Sequence, residues 1–135
     1  MKLYLSLYKI GNKGNEVKEK TKNGNKRVAY INNALDFATD LERKKNSDVA
    51  DILDLEKLGF RVDSIDLKSY FHHQKELEET LGSYDVFWVR GGNTFILAQA
   101  MRLSDFDEIL KQYDRNNKIL CMEGTVQAPV FLDQR

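Results

Sequence analysis

Residues 84–101 read Tyr-Asp-Val-Phe-Trp-Val-Arg-Gly-Gly-Asn-Thr-Phe-Ile-Leu-Ala-Gln-Ala-Met. The first six, 84–89, form a short and mostly apolar run, the pattern of a strand covered on both faces. Arg90-Gly91-Gly92-Asn93-Thr94 breaks that run, and apolar residues then recur at helical spacing from Thr94 to Met101. A buried strand that ends in a glycine turn and feeds directly into a helix is one half of a βαβ unit. The pattern predicts parallel strands joined by right-handed crossovers.

The flanking sequence repeats the alternation. Residues 3–8 and 27–32 are short apolar runs, predicted as the first and second strands. Between them, 11–26 is polar and rich in Gly and Asn, predicted as a mobile loop with at most a weak helical turn near Glu16 to Lys20. The stretch from Thr39 to Leu58 carries Val49, Ile52, Leu53, Leu55 and Leu58 at helical spacing, and Gly59 stands where a helix-terminating glycine belongs. Phe60 to Leu67 alternates as a third strand. Gln74 to Leu81 reads as a short polar helix, and Asp105 to Tyr113 as another, with Ser104 as its N-cap. Lys118 to Leu120 opens a fifth strand. The expected architecture is α/β, a three-layer sandwich around a mainly parallel sheet. In such sheets ligands bind outside the carboxyl ends of the strands, which directs attention to 90–94.

Composition narrows the function. The 135 residues fit one domain, and 41% hydrophobic content supplies a core. Charge is high but balanced, 21 basic against 21 acidic, which argues against a nucleic-acid binder. No apolar run approaches the roughly 20 residues that span a bilayer, so no membrane association is expected. The single cysteine, Cys121, excludes an internal disulfide and makes a reducing cytoplasm the default.

Few residues offer chemistry, and each has two readings. Gly91, Gly92 and Asn93 can turn successive N–H groups toward one point at a helix start, as an oxyanion hole or carboxylate nest. The same residues also make an ordinary tight turn with a cap. Arg90 flanks them and is suited equally to a substrate carboxylate or to an ion pair. His72 and His73 suggest a base or a metal ligand, but no acidic or cysteine spacing matches a metal site, and solvated loop histidines are the simpler reading. Cys121 is a nucleophile candidate, or a small buried apolar residue. Asp40 to Lys45 is a mixed charge run, read as a solvated helix face.

Several segments together resemble the peptidase E-like serine hydrolases, the dipeptidase E and cyanophycinase group. They are Leu-Tyr-Leu-Ser-Leu-Tyr at 3–8, Arg-Val-Ala-Tyr-Ile-Asn-Asn-Ala at 27–34, Leu-Glu-Lys-Leu-Gly-Phe at 55–60, Val-Arg-Gly-Gly-Asn-Thr-Phe-Ile-Leu at 89–97 and Phe-Asp-Glu-Ile-Leu at 106–110. The resemblance covers about 1–120 in order. It implies a flavodoxin-like, class I glutamine amidotransferase-like fold and short peptides as substrates; no metal and no cofactor are expected. It also favours the oxyanion reading of Gly91 and Gly92. The family's nucleophile is the Ser of a Gly-x-Ser-Ala-Gly turn just after the fifth strand, with its His and acidic partners downstream. No Ser follows Ser104 and no His follows His73 in this sequence. His72 and His73 match no catalytic position of the family.

The end of the chain supports a more specific expectation. Cys-Met-Glu-Gly-Thr-Val-Gln-Ala, 121–128, can be encoded as TGT ATG GAG GGT ACA GTG CAG GCx. Read from the third base, the same DNA gives Tyr-Gly-Gly-Tyr-Ser-Ala-Gly, a good version of the family's nucleophile turn. Several codons are free choices, but Met has one codon, and the Gly spanning Met122 and Glu123 is forced. Residues from about 121 onward are therefore expected to be an out-of-frame tail on the N-terminal part of a peptidase E-like domain. The chain as written is then expected to be inactive, and an exposed sheet edge or uncovered surface would favour a homodimer. The alternative is a non-catalytic module that binds a small carboxylate, a short peptide or a partner protein through Gly91, Gly92 and Asn93.

Overall fold

The computed structural model describes residues 2–6, 19, 26–36, 41–112 and 118–123. Among these, five strands form one sheet: β1 (Lys2–Ser6), β2 (Arg27–Ile31), β3 (Arg61–Ser64), β4 (Val86–Val89) and β5 (Ile119–Glu123). Four α-helices accompany them: α1 (Leu41–Lys57), α2 (Gln74–Leu81), α3 (Thr94–Leu103) and α4 (Phe106–Gln112). The strand order is β1-β5-β4-β2-β3, and every pairing is parallel. The predicted α/β class and parallel sheet are those observed. The predicted loop at 11–26 lies outside the described residues except for Glu19 and Lys26.

Alternation along the strands separates two cores. Val28, Tyr30, Val86, Trp88, Ile119 and Cys121 face one side, where Leu55 of α1 and Phe60 cover them. Ala29, Ile31, Phe87, Val89, Leu120 and Met122 face the other, under Leu77 and Leu81 of α2, Leu97 and Met101 of α3, and Phe106 and Ile109 of α4. Strand residues point alternately to the two faces, so the apolar runs are continuous because both faces are covered. Phe87 and Phe106 meet edge to face at 5.9 Å, which fastens α4 to the centre of the sheet.

Local chemistry sets the element ends. Phe60 N–H donates to Leu55 O at 3.2 Å and Gly59 N–H to Glu56 O at 2.9 Å, the two bonds of a Schellman motif. Gly59 holds the left-handed φ of 96° that this motif requires. The expected third strand was longer than the observed one. Beyond Ser64 the chain curls into a 3₁₀ turn at Leu67–Tyr70, because the Asp66 carboxylate accepts the Lys68 N–H at 3.0 Å. Ser104 donates to Ala100 O at 2.7 Å and accepts from Phe106 N–H at 3.3 Å, so one hydroxyl closes α3 and caps α4. The fifth strand continues three residues past the expected Leu120, to Glu123.

Candidate functional site

The strand order locates a crevice. From β2 the chain steps outward to β3, whereas from β4 it steps the opposite way to β5. The two departing strands are neighbours, with Ile31 beside Val89. Their carboxyl ends therefore form a topological switch point, where loops diverge to opposite faces and leave space for a ligand. Arg90-Gly91-Gly92-Asn93 is the loop that leaves β4 there.

This loop is anchored at both ends. At Arg90 the backbone N–H donates to Ile31 O at 2.8 Å, extending the β2–β4 ladder by one bond. At Asn93 the backbone N–H donates to Ala34 O at 2.9 Å, and the side-chain Oδ1 accepts from Phe95 and Ile96 N–H at 3.0 and 3.1 Å. Asn93 is thus the N-cap of α3, one of the two assignments its position allowed. Ala34 is itself held in place by its neighbour. Buried Asn33 donates to Asp36 and Asp66 at 2.8 and 2.9 Å and accepts the Leu67 N–H at 3.0 Å.

Between the anchors lie Gly91 and Gly92. Among the described residues neither backbone N–H has a hydrogen-bond partner. Both residues are half-buried, at the start of a ten-residue helix whose N-terminal end favours negative charge. Gly92 has φ 158°, close to fully extended. Its value to a site lies in backbone access rather than in a torsion that other residues cannot adopt. Asn93, by contrast, spends both its backbone N–H and its side-chain oxygen on the fold.

Arg90 resolves to one of its two readings. Its Nη1 lies 3.0 Å from Asp48 Oδ1 and its Nε 3.4 Å from Asp51 Oδ2, both on α1. Asn32 Nδ2 donates to the other Asp48 oxygen at 2.6 Å. Tyr30 Oη lies 3.0 Å from Asp51 Oδ2 and 3.2 Å from Asp48 Oδ1, so its one proton can serve either. Asp51 is completely buried, and among the described residues Asp51 Oδ1 and Trp88 Nε1 have no hydrogen-bond partner. Burying a carboxyl costs free energy unless it is paired and hydrogen-bonded, so this cluster ties α1 to the end of β4. The spacing of Asp48 and Asp51 shows only that both lie on one helix face, and nothing in the sequence paired them with Arg90.

The other candidates lie elsewhere. His72 and His73 are exposed. The His72 N–H donates to Leu103 O at the far end of α3, about 15 Å along the helix axis from the glycine turn. Cys121 is 2% exposed on the α1 face, opposite Trp88 in the β4–β5 register, and is part of the core. No group of three or more His, Cys, Asp or Glu side chains among the described residues could hold a metal. No helix among them is long and apolar enough to cross a membrane.

Fold and crevice together define a doubly wound α/β protein with a glycine turn at its switch point. The model of Peptidase family S51 matches residues 12–121, most of the chain, and the chain belongs to that family. No curated protein matches it. Among solved structures it is similar to a putative peptidase E protein from Listeria monocytogenes EGD-e, with TM-score 0.61 and 23% identity. That match covers 90% of this chain and 57% of the other. A peptidase from an acI-B1 Actinobacterium matches with TM-score 0.70 and 13% identity, over 90% of this chain and 52% of that one. The chain therefore spans little more than half the length of either structure, and at these identities the likeness concerns the fold.

Proposed function

We propose that this chain carries the oxyanion-binding side of a peptidase E-like serine hydrolase site and binds a short peptide or small carboxylate without cleaving it. The observation that carries the reading is the pair of N–H groups at Gly91 and Gly92 that have no partner among the described residues. They sit between the anchored Arg90 and Asn93, at the switch point of a family S51 fold. Two preorganised backbone donors of this kind stabilise the negative oxygen that develops as a peptide carbonyl is attacked, and they hold a carboxylate by the same means. Asn93 supports the site by capping the helix and fixing the turn.

Acyl transfer of the triad type needs a nucleophile, a base and an orienting acid. Ser104 is buried and committed to α3 and α4, and the stretch directly after β5, where the family resemblance puts the nucleophile turn, reads Gly-Thr-Val-Gln-Ala at 124–128 with no Ser. The histidines lie at the wrong end of α3. The family match ends at residue 121, where the alternative reading frame begins to encode Tyr-Gly-Gly-Tyr-Ser-Ala-Gly. We assign 121–135 to an out-of-frame tail on this basis. The reading is tested by assaying dipeptide hydrolysis by the 135-residue chain beside a version with the frame restored after Leu120. The expected result is turnover by the restored protein alone, and turnover by the 135-residue chain would overturn it.

A further inference from the structure

We infer that Asp48 and Asp51 of α1 are positioning residues for the Gly91–Gly92 turn and act through Arg90. This rests on the reading of that turn as the ligand-binding element. The Arg90 side chain is only 14% exposed, and its guanidinium faces two carboxyl groups, one of them wholly buried. Arg90 Nε and Tyr30 Oη both meet Asp51 Oδ2, and Oδ1 has no partner among the described residues, so these two groups are what compensate this carboxyl. A planar guanidinium can serve two carboxylates at once in fixed directions, which a single ammonium cannot do.

Arg90 is also the residue immediately before the two glycines. Its backbone is fixed by Ile31 O at 2.8 Å and its side chain by α1, so the peptide plane leading into Gly91 has few remaining freedoms. The other end is fixed through Ala34 and Asn93. The span between them is two residues. Any rotation of the Arg90 side chain toward solvent would strand a buried carboxyl, so the position of α1 and the direction of the glycine N–H groups are coupled. The Arg90 cation is thereby turned toward α1, and the N–H pair is what faces a ligand.

The test uses the whole chain labelled with ¹⁵N-glycine, without ligand. In Asp51→Asn, Asp48→Asn and Arg90→Lys the Gly91 and Gly92 amide resonances should move and broaden. The Gly82 amide, between α2 and β4, should stay in place and report an intact fold. If Asp51→Asn disrupts the fold, Gly82 will move as well, and Asp48→Asn, at a side chain 16% exposed and 42 residues from Arg90 along the chain, decides the matter because it leaves the residue beside Gly91 unchanged. Gly91 and Gly92 resonances that match wild type in Asp48→Asn would overturn the inference. A separate acetate titration reads the ligand-binding assignment, so failure of that assignment would appear as a clamp that moves the amides in a turn that binds nothing.

Discussion

Arg90 Nη1 stands 3.0 Å from Asp48 Oδ1, across the join between the end of β4 and α1. With Asp51 0% exposed on the same guanidinium, removing Arg90 leaves two carboxyl groups without their cation. Loss of one partner from a buried ion pair costs about 3–5 kcal/mol, and Arg90→Ala should lower stability to urea by that order. Lys111→Ala, which removes an exposed pair with Glu108, should cost no more than about 0.5 kcal/mol. Equal effects in the two variants would show that burial does not govern the Arg90 cluster.

The cap at Asn93 makes a smaller and more specific prediction. Its Oδ1 satisfies two N–H groups at the start of α3. Asn93→Ala should cost about 1 kcal/mol, whereas Asn93→Asp keeps the acceptor and should leave stability nearly unchanged. Urea unfolding of the two variants separates these outcomes.

Asp107, in the first turn of α4, has its carboxyl pKa raised above the ordinary 3.8, chiefly by partial burial. A raised folded value means that the folded state favours the protonated form. The stability contributed by this group is full below pH 3.8 and is lost as pH rises through the folded value. Asp107→Asn should therefore raise the melting temperature at pH 7, and the gain should disappear below pH 3.8. A gain independent of pH would assign the effect to packing instead.

The fold was legible because its signals are local and redundant. The run at 84–89, the glycine that ends α1 at Gly59 and the periodicity of 74–81 each follow from backbone chemistry a few residues long. The expected third strand exceeds the observed one because apolar alternation runs on through Ile65 and Leu67, while the turn is set by one hydrogen bond from Lys68 to Asp66. In the candidate site, the glycine turn and its Asn93 cap could be seen in the sequence. The Arg90–Asp48–Asp51 cluster could not. Arg90 is 42 residues from Asp48 along the chain, and only the crossover from β2 through α1 brings it to the two aspartates.

Sequencing the coding DNA from codon 115 past the stop addresses the tail. The expected finding is that a one-base correction near codon 121 restores Tyr-Gly-Gly-Tyr-Ser-Ala-Gly and a longer frame. A restored frame without Ser-Ala-Gly at that point would refute the out-of-frame assignment. An intact mass near 15.7 kDa would show that the protein is made in the form given by its sequence.

The most direct test of the ligand-binding claim is titration of the ¹⁵N-glycine-labelled chain with acetate. Saturable shifts confined to Gly91 and Gly92, with the Gly91 shift abolished in Gly92→Val while the Gly82 amide is unmoved, are the predicted result. Shifts that are absent, or spread evenly over Gly59, Gly82 and the turn, would contradict the assignment of these two N–H groups to a ligand.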